Sequence, residues 1–137
     1  MFKLRTTAVA AVAAIAVAGF TAASPAAIAK NGDVRAAGSC TGTSTSKIKL
    51  SNEDGGRIQV EFEVDQNRNG VPWSVTLQDN GTQVASATAT TRAPSGSFTV
   101  RRVIAGAAGP DRIVASATTA SGERCSATAS IRPRSGG

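Results

Sequence analysis

The strongest constraint on this chain is a period of two. From Arg57 to Val64, the residues Ile58, Val60, Phe62 and Val64 alternate with Arg57, Gln59, Glu61 and Glu63. Successive side chains of an extended strand point to opposite faces, so one face of this segment is core and the other is wet. The same period returns in Val71, Trp73, Val75 and Leu77 against Ser74, Thr76 and Gln78. Shorter versions are expected at Ser46–Leu50, Thr82–Thr90, Ser97–Ile104, Arg112–Thr118 and Arg124–Ile131, each divided from the next by turn residues such as Asn52–Gly56 and Asp65–Gly70. No helical period follows residue 29. Seven short alternating strands predict an all-β antiparallel sandwich of the immunoglobulin-like type.

The amino terminus reads differently. Lys3 and Arg5 precede an uncharged, alanine-rich run, and small residues surround Ala27-Ile28-Ala29, which is the layout of a secretory signal peptide. The apolar run of about 13 residues is shorter than the roughly 20 needed to span a bilayer. Residues 1–29 are therefore expected to be cleaved, with 30–39 a flexible lead-in, 40–132 the sandwich and 133–137 a tail. The product is expected to be secreted, extracellular, monomeric and without a stable membrane anchor.

Export bears on the cysteines. Cys40 and Cys125 are the only two, and an oxidising compartment favours their pairing. The chain has no histidine to act as a base or as a further metal ligand beside a thiol. The expected disulfide joins the first strand to the last.

At this point the residues resemble a family. The order Trp73-x-Val75-x-Leu77-x-Asp79-Asn80-Gly81-Thr82, followed by Asp111-x-Ile113-x-Ala115 and a cysteine on the final strand, is similar to immunoglobulin-like and fibronectin-type-III-like modules. The whole mature chain resembles small, single-domain secreted proteins of high-GC bacteria. One departure is visible: antibody-type domains bridge strands B and F beneath the tryptophan, whereas these cysteines fall on terminal strands.

Charge and composition exclude several functions. Loss of Lys3 and Arg5 lowers the net charge from +6 to +4, and the remaining basic residues are spread instead of clustered. Trp73, Phe62 and Phe98 are the mature aromatics and all three sit in alternation that predicts burial, so the stacking platform of a nucleic-acid binder is missing. No cofactor is expected. Asp65, Asn67 and Asn69 with Gly70 match the opening of a calcium loop, but the twelfth position is Thr76 where a bidentate carboxylate is required. A plain turn is favoured over a metal site. Glu61, Glu63 and Asp65 share one strand face, read as solvated and facing arginines rather than catalytic.

Candidate binding residues are Arg92, Arg101, Arg102 and Trp73. Strict alternation from Phe98 and Val100 would bury Arg102, so a bulge after Val100 is expected to turn both arginines outward and return Val103 to the core. Asn80-Gly81 suits a two-residue type I′ turn that pairs Asp79 with Thr82, Leu77 with Val84, Val75 with Ser86 and Trp73 with Thr88. A competing register turns Ala85, Ala87 and Ala89 inward. The leading functional reading is a non-enzymatic module that binds an extracellular protein, cell-wall polymer or small molecule. Two alternatives stand beside it: a carrier, since chromophore-holding secreted apoproteins look similar in size and richness in Ala, Gly and Thr, and an extracellular protease inhibitor acting through Thr91-Arg92-Ala93-Pro94.

Overall fold

The structure, a computed structural model, describes Ala27, Ile28 and residues 32–133. The expected signal peptide, apart from the two-residue strand β1 (Ala27–Ile28), and all of the tail but Pro133 lie outside the described residues. The chain is all-β, with no α-helix among the described residues. Its remaining strands are β2 (Val34–Ala37), β3 (Ser39–Cys40), β4 (Thr45–Glu53), β5 (Arg57–Asp65), β6 (Pro72–Asp79), β7 (Thr82–Thr90), β8 (Ser97–Ala105), β9 (Asp111–Thr119) and β10 (Arg124–Ile131). They form two antiparallel sheets, ordered β1-β2-β4-β5-β8 and β3-β10-β9-β6-β7. The seven strands expected from the period of two are present as β4 to β10, but seven is too few: β1, β2 and β3, whose short or small-residue segments show no long alternation, join the two sheets as well.

The two inner faces divide the core volume unequally. The first sheet supplies Ile48, Leu50, Ile58, Val60, Phe62, Val64, Phe98 and Val100. The second supplies Trp73, Val75, Leu77 and Ile113, then a run of small side chains: Ala115, Ala117, Ala127 and Ala129. Stacked sheets keep a separation near 10 Å, so large residues on one side demand small ones opposite. Trp73 tilts against Phe98 across the interface with ring centroids 6.1 Å apart, and Phe62 meets Phe98 edge-on at 6.4 Å.

Several expectations change. The segment 30–39 is not a flexible lead-in throughout: β2 pairs with β4, aligning Val34 with Leu50 and Ala36 with Ile48, and both apolar side chains are buried. Two small residues at alternate positions suffice beside an already wide sheet. Strand β8 pairs with β5 in unbroken register from Arg57↔Ala105 to Asp65↔Ser97, so no bulge follows Val100. Arg102 keeps its inward parity yet stays in solvent, because β8 is the edge of its sheet, and Val103 faces outward at 50% exposure.

The third change is at the β6–β7 hairpin. Its turn is as expected: Asp79 pairs with Thr82, and Asn80 and Gly81 have φ of 50° and 86°, both in the positive range that a type I′ turn requires. A shift between Leu77 and Gln78 then moves the register by one, pairing Leu77 with Ala85, Val75 with Ala87 and Trp73 with Ala89. Val84 is 39% exposed and the three alanines pack against the core. The pairing of Leu77 with Val84 is therefore overturned; the bulge turns the alanines, not larger residues, toward the tryptophan.

Gly38 is where the first stretch of chain passes from one sheet to the other. Its N–H donates to Ser46 O at 2.8 Å, and a Cβ there would collide with Ser46 Oγ and the Ser126 carbonyl. The Ser46 hydroxyl itself reaches across toward the carbonyls of Ser126 and Ser39. Just beyond, Cys40 and Cys125 form the disulfide. They are direct partners in the β3–β10 ladder, Cα atoms 4.0 Å apart. The Thr41 N–H donates to Arg124 O, which marks the cysteines as a non-hydrogen-bonded pair, the closer of the two antiparallel spacings. The bridge thus joins neighbours within one sheet, and the strand it holds to β10 is β3 rather than the first.

Gly38→Ala should destabilise the domain by about 1–3 kcal/mol, the range for overpacking against backbone, measured by urea unfolding. An unchanged midpoint would contradict the close approach. Thiol titration of the unreduced protein should find no free thiol, and replacing either cysteine should cost about 2–5 kcal/mol.

Candidate functional site

The connection between β7 and β8 makes the most distinctive surface of the molecule. Its base is a short antiparallel bridge, Arg92↔Ser97, with the Arg92 N–H donating to Ser97 O at 2.9 Å and the Gly96 N–H to Arg92 O at 2.9 Å. Beyond that base the two strands part, β7 to one sheet and β8 to the other. The result is a V-shaped groove of about 520 Å³ walled by Ala87–Thr90 on one side and Ser97–Arg102 on the other. Both walls are edge strands.

Arg92, Arg101 and Arg102 all line this groove. Arg101 donates through Nε and Nη2 to Glu61 Oε1, both at 2.8 Å. Arg102 turns its head back to the Arg101 carbonyl at 2.9 Å, and it also borders the apolar hollow of Val75, Leu77, Ala85 and Val100. Its long stem can cover that rim while the guanidinium stays wet. Among the described residues, neither Arg92 nor Arg102 has a carboxylate within 4 Å. Phe98 and Val100 form the floor and are themselves mostly covered.

Trp73, expected as a contact residue, is instead fully buried below this floor. Its period-two position decides that: it shares the inner face with Val75 and Leu77. The indole N–H donates to Gln66 Oε1 at 3.2 Å, and Gln66 Nε2 approaches Glu123 Oε2 at 3.5 Å. Glu123 also accepts from the Ser44 hydroxyl. A buried donor is thereby satisfied by a polar chain that runs outward to the loop beside the disulfide.

The calcium candidates separate. Asp65 and Asn67 border a polar hollow of about 620 Å³ with Gln66 and Glu123, while Asn69 is not among its lining residues. Asp65 Oδ1 accepts the Asn67 N–H at 3.1 Å, and Asn67 has φ of 55°. That is an aspartate closing its own turn. No group of three or more His, Cys, Asp or Glu side chains able to hold a metal occurs among the described residues. Glu63 pairs with Lys47 at 3.5 Å, so the outer face of β5 is an ion-paired surface.

One pair of titratable groups is missed by reading the pattern only as far as its apolar residues. Asp79 ends β6 and Asp111 opens β9, both on inward positions, at 9% and 1% exposure. Continuing the alternation Trp73, Val75, Leu77 by one step, or starting Ile113, Ala115, Ala117 one step earlier, locates them. Asp111 Oδ1 accepts the Ala107 N–H at 2.8 Å and so holds the loop before β9. Asp79 Oδ1 has no partner. Burial, foremost, then the hydrogen bond and the charge of Asp111 push the Asp79 carboxyl up from 3.8 to about 6.

Compared with known proteins, the chain matches no protein-family model and no curated protein. The function must be argued from this geometry.

The carboxyl pair has a definite pH signature. Asp79 binds its proton more tightly folded than unfolded, so its stabilising contribution is complete below about pH 4 and is lost as pH rises through about 6. Stability should fall by up to about 3 kcal/mol over that window, one pKa unit being about 1.4 kcal/mol. In Asp79→Asn the slope should flatten and stability at pH 8 should exceed that of the wild type. Denaturant unfolding across this range is the check; an unchanged slope in the variant would assign the pH dependence elsewhere.

Proposed function

We propose that the protein is a secreted, non-enzymatic binding module of immunoglobulin-like design whose ligand seats in the groove between β7 and β8. The observation that carries this reading is the convergence of Arg92, Arg101 and Arg102 on one cleft between two open strand edges, two of them lacking an acidic partner among the described residues. Side chains separated along the sequence gather there because the connection Thr91–Gly96 crosses between sheets. The ligand class this favours is anionic.

The strand order supports the immunoglobulin-like part. In the constant-type order, chain segments A and B lie in one sheet, C in the other, D and E back in the first, F and G in the second. The long strands here run β4 and β5, then β6 and β7, then β8, then β9 and β10 between the sheets. The one departure is that the fourth long strand, β7, remains beside β6. Secretion is supported by the disulfide and the expected signal peptide, and no helix among the described residues is long and apolar enough to cross a membrane.

Binding without turnover fits the available groups. The chain has no histidine, and Asp79, whose carboxyl burial pushes up, is enclosed against Asp111 and is not among the residues lining the groove. The carrier alternative is weakened because Phe98 and Val100 leave little apolar surface uncovered in the cleft. The inhibitor alternative retains one supporting feature: the exposed Arg92–Ser95 loop is tied down, with the Gln66 N–H donating to Gly96 O at 3.0 Å and Gly96 packed on the backbone of Asn67 and Arg68.

A panel of anions, from glutarate to polyglutamate, should shift the amide resonances of Thr88–Thr90 and Ser97–Arg102 saturably, and salt should weaken the effect. The double variant R92E/R102E should lose it. A hydrolase screen should show no turnover. Saturable hydrolysis abolished by Glu61→Gln or Asp79→Asn would replace this reading with an enzyme.

A further inference from the structure

We propose that the occupant of the groove is an extended acidic peptide segment that adds to the exposed edge of β7 as an extra strand. This rests on the reading that the β7–β8 groove is the binding site, and goes beyond it by naming the partner's chemistry and backbone conformation.

The first observation concerns β7 itself. It is nine residues long, contains no charged residue and no proline, and is the last strand of its sheet. Edge strands expose a row of unpaired N–H and C=O groups, and proteins blunt such edges with charge, proline, covering segments or short length. At the other side of the sandwich the outermost strands, β1 and β3, are short, two residues each. Strand β7 has none of these; its one irregularity is the bulge at Val84 near the hairpin end, and from Ala85 to Thr90, which includes the part that borders the groove, its register is unbroken. Peptide recognition by strand addition uses such an edge: main-chain hydrogen bonds supply affinity and alternate side chains supply selectivity.

The second observation is the charge of the opposite wall. Arg101 and Arg102 stand on β8 and Arg92 at the closed end of the V. A strand lying along β7 would therefore run between an uncharged backbone edge and a basic wall. Carboxylates on the incoming segment would meet Arg92 and Arg102, which lack carboxylate partners within 4 Å among the described residues.

The same charge argues against a second copy of this chain. A β7-to-β7 pairing would bring two sets of arginines together on molecules that are each net positive. It also argues against a bulky apolar ligand, since the cleft is bounded by consecutive residues of two strands and floored by the largely covered Phe98 and Val100. The floor residues Phe98 and Val100 are apolar, which suits a segment that carries aliphatic residues among its acidic ones.

The test uses the full-length chain and a capped synthetic hexapeptide alternating glutamate and valine. Calorimetry should show saturable binding, and amide hydrogen exchange should slow specifically in β7. Affinity should fall by about tenfold or more in Arg102→Glu and in Arg92→Glu, the second on an exposed loop where a folding defect is not expected. A peptide of the same side chains with a fully N-methylated backbone should lose binding, because it retains charge but cannot form the ladder. Equal binding by the N-methylated peptide, or no added protection in β7, overturns strand addition while leaving an anion-binding groove intact. Failure of glutarate, polyglutamate and the hexapeptide alike overturns both readings. Self-association of the free chain through β7, undiminished by the peptide, overturns the acidic partner in favour of a second copy.

Discussion

The packing of Trp73 on Phe98 is the contact on which the rest of the domain turns. It joins the two sheets at their widest side chains, and a residue of that size can be accommodated only if its neighbours are small. Ala89 opposite it on β7 with Ala87 one step along, and Thr119 opposite it on β9 with Ala117 one step along, meet that requirement. The shift between Leu77 and Gln78 is a local consequence: without it, the serine and threonines of β7 would face the core. The indole N–H carries a second demand, which Gln66 satisfies, and through Glu123 and Ser44 the tryptophan fixes the loops near the disulfide. One side chain thus sets both the thickness of the core and the arrangement of one end of the sandwich.

The path of the chain between sheets converts that core into a surface. Because β7 stays beside β6 and β8 returns to β5, the Thr91–Gly96 connection opens like a splayed hairpin. Arg102 illustrates the result. Its parity along β8 is inward, alongside Phe98, Val100 and Ile104, but β8 is the outermost strand of its sheet, so the side chain lies along the rim of β6 and β7 and its head reaches water. A guanidinium that would be costly in the interior sits at the rim, where its stem covers apolar neighbours and its head remains hydrated.

Much of the fold was legible in the residues because the period of two is strict from Arg57 to Val64 and from Trp73 to Leu77. It was legible also at the cysteines, since two thiols allow one pairing. What could not be read there has physical causes. Alternation gives the face of each side chain but not which sheet a strand joins, so the β7–β8 groove and the gathering of its arginines were invisible, although Arg92, Arg101 and Arg102 were individually recognisable. Val84 misled because a valine outranks an alanine in apolar character, while the space beside Trp73 admits only the alanine. Val34 and Ala36 were passed over for their small size. Asp79 and Asp111 stand beside turns, where carboxylates are commonly solvated; their positions at the ends of inward rows are the signal that marks them as buried.

The sheet-switching stretch at Gly38 has a further consequence. By pairing with β4 through β2 and with β10 through β3, one continuous segment covers the same side of both sheets, like a seam sewn along one flank of a garment. Among the described residues, the flank formed by β7 and β8 is left unsewn. A molecule with edges free on both flanks could propagate, each copy accepting a neighbour on either side and growing into a filament. Here the two long free edges among the described residues, β7 and β8, share one flank, so strands added to them accumulate on that side alone and find no long edge opposite from which to continue.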